Sequence, residues 1–213
     1  MLTRRSLIGL LLTLCVGLAY AAAPQTRVIL VLGDSISAGY GLPAGAGWVS
    51  LLQSRLAAAH YSYTVVNASI SGDTTAGGRA RLNALLAQHR PAITIIELGG
   101  NDGLRGSSVE VMRRNLDAMI AAAQQAGSKV LLLGIRMPPN YGPAYVQRFD
   151  ASFSEAAKSS KTALVPFIFD GFAGEETMFQ ADRVHPVAAA QPTMLETIWR
   201  ELKPMLSAGV KSP

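Results

Sequence analysis

Cysteine is nearly absent from this 213-residue chain, and the single one, Cys15, falls inside an apolar N-terminal stretch. No intrachain disulfide can therefore form, and stability has to come from a packed core. Histidine is almost as scarce. Only His60, His89 and His185 occur, no two in H-x-x-x-H spacing, so neither a thiolate nor a helical histidine zinc site is expected, and no metal. Charged residues make up 15% of the chain, without a lysine/arginine run or a basic stripe interleaved with aromatics. That argues against a nucleic-acid partner. Nor is there an internal repeat or a low-complexity linker.

The one long apolar run is N-terminal. Two arginines in Met1–Arg5 precede the almost wholly apolar Ser6–Tyr20, and small residues follow in Ala19-Tyr20-Ala21-Ala22-Ala23 before Pro24. This is the order of a secretory signal peptide, and the apolar part is short for a membrane span. Cleavage after Ala21 fits an A-x-A site, with Ala22 or Ala23 as alternatives; a retained N-terminal anchor is the competing reading. Arg4-Arg5-Ser6-Leu7-Ile8 loosely resembles a twin-arginine signal, while Leu14 before Cys15 is a poor match to a lipoprotein site. Residues 1–23 are thus expected to be a leader and 24–213 one domain, exported to the periplasm or beyond. The general secretory route is favoured, with the twin-arginine route as its alternative. Loss of Arg4 and Arg5 lowers the formal charge from +5 to +3. That mild excess suits transient contact with an anionic lipid surface, and no obligate protein partner is evident.

Short β-branched runs alternate with longer helix-like stretches. Arg27–Leu32, Tyr63–Asn67, Ile93–Leu98, Lys129–Gly134 and Ala163–Phe167 read as strands, most without polar/apolar alternation, as in a parallel sheet covered on both faces. Trp48–Ala59, Gly77–Gln88, Ser108–Ala126 and Tyr145–Ser159 read as helices. A last helix is expected over Val187–Leu206, kinked or shortened by Pro192 and Pro204. Gly127 is placed to end the third helix. The pattern predicts a layered α/β sandwich. Each of the first four strands is followed by a segment rich in glycine and small polar residues: Gly33-Asp34-Ser35, Ser69-Ile70-Ser71-Gly72-Asp73, Gly99-Gly100-Asn101-Asp102 and Arg136-Met137-Pro138-Pro139-Asn140. In a parallel sheet these share one edge, where ligands bind, so four distant segments should converge.

Ser35 reads either as a helix cap or as a nucleophile, and a nucleophile needs a base, an orienting group and oxyanion donors. His60 and His89 end helical stretches, where a polar tip suits the local dipole. His185 differs, since Asp182-Arg183-Val184-His185-Pro186 follows the last strand. One tight turn would bring the Asp182 carboxylate beneath its imidazole, although an Asp-initiated turn with a capping histidine fits the same residues. The Ser35 and Gly72 N–H groups and the Asn101 side chain are suitable oxyanion donors, with an Asx-type turn as the plainer reading of Asn101-Asp102.

Gly33-Asp34-Ser35-Ile36, Gly72, Gly100-Asn101-Asp102 and Asp182-x-x-His185 match, in order, the four blocks of the SGNH (GDSL-type) hydrolases. Similarity extends to Ala68–Thr74, Glu97–Gly106 and Pro139–Gly142, covers essentially all of residues 24–213, and is closest to the bacterial thioesterase I/lysophospholipase-like esterases. The resemblance implies a three-layer α/β/α sandwich on a five-stranded parallel sheet and no cofactor. It implies Ser35 as nucleophile, His185 as base then acid, and Asp182 as the group orienting it, with Ser35, Gly72 and Asn101 as the oxyanion hole. Ile36 stands where the family usually has leucine. Arg183 stands where it often has glycine, which strains the turn if that position takes a positive φ. Leu104, Met137, Pro138 and Tyr141 are expected to shape an acyl groove. The implied reaction is hydrolysis of fatty-acyl esters: aryl and alkyl esters, lysophospholipids and, by family similarity alone, thioesters. A carbohydrate O-deacetylase of the same fold is the alternative. A non-catalytic flavodoxin-like protein cradling an anion at the Ser35 turn is a more distant one.

Overall fold

The computed structural model describes residues 26–207, so the expected leader lies outside the described residues. Five strands, β1 (Arg27–Gly33), β2 (Tyr63–Asn67), β3 (Ile93–Glu97), β4 (Lys129–Leu133) and β5 (Ala163–Val165), pair in parallel in the order β2-β1-β3-β4-β5. The helices are α1 (Ser35–Ala38), α2 (Trp48–Ala58), α3 (Thr75–His89), α4 (Gly100–Leu104), α5 (Val109–Gln125), α6 (Pro143–Ser160) and α7 (Gln191–Leu202).

Strand residues divide by parity between two apolar layers. Ile29, Val31, Ile93, Ile95, Leu131 and Leu133 pack under α2 and α7, whereas Leu30, Leu32, Ile96, Val130 and Leu132 pack under α3, α5 and α6. Both faces of the sheet are therefore dry, which is why the strands show no alternation. Among the described residues no helix is long and apolar enough to cross a membrane.

Among the expected boundaries that shift, two bear on the site. The last helix does not begin at Val187. A short 3-10 turn, Ala188–Ala190, precedes α7, whose first turn contains Pro192, and Pro204 sits in a second 3-10 turn, Lys203–Met205. Pro192 opens the helix instead of kinking it, because a first-turn N–H has no intrahelical partner to lose. Gln191 then serves a distant element: its Oε1 accepts the Trp48 N–H at 2.9 Å, capping α2 where Gly47 has no side chain to do so. The fifth strand stops at Val165 rather than Phe167. Pro166 brings no N–H to the ladder, and its carbonyl oxygen lies 2.5 Å from where a Cβ on Gly134 would stand. Phe167 and Phe169 are consequently carried past the end of the sheet.

The chain leaves β1 for β2 on one side, while β3 lies on the other. The resulting switch point opens a crevice at the carboxyl edge between β1 and β3. Ser35 follows the first of these strands and Asn101 the second.

Candidate active site

Asp34 is the N-cap of α1, its Oδ1 accepting the Ile36 N–H at 3.0 Å, so Ser35 opens a helix at the mouth of the crevice. The cap reading of this turn holds, with Asp34 rather than Ser35 as the cap. Ser35 Oγ lies 2.8 Å from His185 Nε2, and His185 Nδ1 lies 2.7 Å from Asp182 Oδ2. A carboxylate on Nδ1 fixes the proton there and leaves the Nε2 lone pair to accept the serine O–H. Asp182 is held in turn, since its Oδ1 accepts the N–H groups of Val184 at 2.9 Å and His185 at 3.0 Å. Partial burial would raise the Asp182 carboxyl, but the two backbone bonds and the His185 ring outweigh it and bring it down to about 2. It is therefore ionised at neutral pH. Arg183 does adopt positive φ, +58°, so a side chain occupies a left-handed turn at a cost of about 1–2 kcal/mol. The turn still delivers both His185 contacts, to Asp182 and to Ser35. The Tyr40 ring lies 4.6 Å from the His185 ring, and Gln180 links the two segments by donating to the Tyr40 carbonyl at 2.9 Å.

Across the crevice, Gly72 takes φ +80°, with open space where a Cβ would stand, so the backbone angle alone demands glycine there. Arg81 anchors this loop through Asp73 at 2.9 Å and through the Ala68 carbonyl. Asp102 accepts the Thr75 N–H at 2.9 Å and its hydroxyl at 2.6 Å, docking the start of α3 beside α4. The Asn101 amide donates both hydrogens, one to Asp34 Oδ2 at 3.0 Å and one to the Asp73 carbonyl at 2.9 Å. Beneath the Ser35 turn, Glu97 is wholly buried. Its Oε2 accepts the Ser37 hydroxyl at 2.7 Å and the Asp34 N–H at 3.4 Å. Burial, and then the Asp34 charge, push the Glu97 carboxyl well above the ordinary range, while burial lifts Asp34 to about 6.

Ser35, His185, Asp34, Gly72 and Asn101 line a cavity of about 520 Å³, within the range of small-molecule sites, about 300–1,000 Å³. Leu104, Met137 and Pro138 line it as expected. Tyr141 does not. Its ring stacks on Tyr145 and its hydroxyl donates to the Leu104 carbonyl at 3.3 Å, bracing the lining from outside. The sequence reading missed Tyr40, Phe167, Phe169 and Phe179, all of which face the cavity. In the sequence Phe167 reads as the end of a strand, and no periodic signal marks the others. His60 and His89 stand apart from the cavity. Among the described residues no group of three or more His, Cys, Asp or Glu side chains could hold a metal ion.

Comparison with known proteins places the sequence and the fold in one family. Residues 31–191 match the GDSL-like Lipase/Acylhydrolase family. The chain is 55% identical to esterase TesA of Pseudomonas aeruginosa, over 93% of this chain and 99% of that protein. It is 40% identical to thioesterase 1/protease 1/lysophospholipase L1 of Escherichia coli K12, over 88% of each. The crystal structure of the psychrotrophic esterase EstA from Pseudoalteromonas sp., inhibited by monoethylphosphonate, superposes with a TM-score of 0.80 at 41% identity, over 84% of this chain and 97% of that one. With a sheet, a serine–histidine–aspartate chain and a sequence all of one kind, the protein belongs to the GDSL-like lipase/acylhydrolase family, the SGNH hydrolases, and is an acyl-ester hydrolase.

Proposed function

We propose that Ser35 is the nucleophile of a two-step hydrolysis of fatty-acyl esters, including lysophospholipids. The observation that carries this is the continuous Ser35–His185–Asp182 chain, at 2.8 and 2.7 Å, opening into an apolar cavity. Ser35 Oγ attacks the ester carbonyl as its proton passes to His185 Nε2. The oxyanion so formed is met by the N–H groups of Ser35 and Gly72 and by the Asn101 amide, at the N-terminal end of α1. Collapse breaks the bond to the alcohol oxygen, which takes the proton from Nε2, and leaves an acyl-serine. Water, deprotonated by the same nitrogen, then releases the fatty acid and restores Ser35. Asp182 holds the reactive tautomer and stabilises the imidazolium.

The direction of proton transfer sorts the cavity walls. The leaving alcohol must lie on the His185 side, where Phe179 bridges to Pro186. The acyl chain then runs along the Asn101 side, where Met137 is packed against Gly103 of α4 and Leu104 is exposed to the lumen. Walls of Phe, Met, Pro and Leu suit a hydrocarbon better than a sugar, which disfavours the O-deacetylase. The activities named for the relatives, esterase and thioesterase/lysophospholipase, favour the same substrates. Export through residues 1–23 would bring the enzyme to such lipids, and a mature N-terminus at residues 22–24 in the extracytoplasmic fraction is the expected mark of it.

A fluorophosphonate probe should label Ser35 alone, as read by peptide mass. Folded protein that stays unlabelled refutes the serine mechanism. A chain-length series of p-nitrophenyl esters against acetylated xylan should favour long acyl chains, and the opposite order would favour the deacetylase.

A further inference from the structure

The oxyanion reading leaves a difficulty at Asn101, because both of its amide hydrogens are already engaged. The two acceptors are unequal. Asp34 offers a carboxyl oxygen, in a nearly dry site, and Asp73 offers a neutral backbone carbonyl. A charged acceptor holds an amide hydrogen about twice as strongly as a neutral one. An arriving oxyanion therefore competes with the Asp73 carbonyl for its hydrogen, while the bond to Asp34 persists as the pivot. We propose that Asp34 is a positioning residue for the reaction, tethering one Asn101 N–H so that the other is aimed at the substrate's oxyanion.

The tether is itself built in from below. Asp34 is 2% exposed, and one of its carboxyl oxygens is spent on the Ile36 N–H. That leaves Oδ2 free to turn toward Asn101. Glu97 Oε2 takes the Asp34 N–H and the Ser37 hydroxyl, so the turn carrying Ser35 and the tether of Asn101 rest on one buried carboxyl. Gly33 makes the arrangement possible. A Cβ there would stand 2.9 Å from Glu97 Oε2 and 2.7 Å from the Ser37 Cβ. This glycine is needed for close approach, not for its backbone angle. Asp34 does not donate to the oxyanion, and its negative charge opposes one, so its contribution is orientation, made through Asn101. The inference rests on Asn101 being an oxyanion donor.

A double-mutant cycle separates the two claims. Asp34→Asn presents an NH₂ or an oxygen to Asn101 but cannot cap Ile36 and tether the amide as the carboxylate does. Asp34→Ser keeps a good cap for Ile36 but is too short to reach Asn101. Asn101→Ala should lower kcat about 10²–10³-fold, as loss of one oxyanion donor does. Asp34→Asn and Asp34→Ser should each lower kcat at least ~10-fold with KM little changed, and each should cost less than ~3-fold more on the Asn101→Ala background. An alkylboronic acid, a tetrahedral mimic, should lose affinity in parallel with kcat. If Asn101→Ala is fully active, the oxyanion reading of Asn101 fails. If Asn101→Ala is impaired but Asp34→Ser retains wild-type kcat, or the two losses multiply, the tether is refuted and Asp34 is only a cap. Should Asp34→Asn not fold, the Asp34→Ser cycle decides alone.

Discussion

Burial of Asp34 has a consequence for folding that is separate from turnover. Its carboxyl is lifted from 3.8 to about 6, first by desolvation, against the opposing pull of the Ile36 N–H, His185 and Asn101 and with a smaller push from Asp73. A carboxyl raised in the folded chain binds its proton more tightly there than in the unfolded chain. Stability from this group is thus full below the unfolded value and is lost as pH rises through the folded one. At roughly 1.4 kcal/mol per unit, the loss amounts to about 3 kcal/mol between about pH 4 and about pH 7. Asp34→Asn removes this titration. Urea unfolding of both proteins across that range, at constant ionic strength, should show the variant gaining about 3 kcal/mol on wild type as pH rises, with equal m values. Relief of Glu97 in the variant only flattens its curve further. Wild type would then retain a destabilising charge that the enzyme uses, the kind of exchange of stability for activity found at functional sites. A difference that stays constant within ~0.5 kcal/mol over the range, or that favours wild type as pH rises, would refute the reasoning.

Ser35→Ala and His185→Ala should each lower kcat by roughly 10⁴-fold or more, and combining them should add little, because the two act as a unit. Steady-state turnover of a p-nitrophenyl ester measures this. Asp182→Asn should cost roughly 10⁴-fold by holding the imidazole in the wrong tautomer, and near-normal turnover would remove Asp182 from the chain of proton transfer. Arg183→Gly should raise thermal stability slightly with kcat unchanged. It relieves about 1 kcal/mol of left-handed strain, in part offset by the freer unfolded chain, and the exposed 3.7 Å pair with Glu176 contributes little. Gln191→Ala should lower Tm by about 2–4 °C, roughly 1 kcal/mol from an uncapped α2, while esterase activity persists in the cold.

Much of this protein was readable before folding was considered. Short apolar runs without alternation, spaced by helical stretches, led to five parallel strands, because a sheet covered on both faces selects apolar side chains at every position. Glycine and small polar residues at the strand ends marked the edge where a ligand binds. Histidine scarcity made His185 easy to single out, and its three-residue spacing from Asp182 is a local property that one turn satisfies. Strain at Arg183 was expected only through the family resemblance, on the condition that the glycine often found there takes a positive φ, and the structure supplied that angle. Long-range placement was not readable in this way. Nothing local to Gln191 says that it caps a helix 143 residues earlier, nor to Pro166 that it ends a strand and releases Phe167 into the cavity. Tyr141 carries the right chemistry for a substrate wall, yet packing on Tyr145 turns it away. Glu97 in an apolar strand looks like an exception to burial until Ser37, Asp34 and the missing Cβ of Gly33 surround it. Residue type and short spacing thus determined the fold class and the candidate reacting groups, because backbone sterics and hydrophobic patterning act within a few residues. The cavity walls, the caps and the buried carboxyl pair were decided only in three dimensions, where desolvation and hydrogen bonding join groups that the chain keeps far apart.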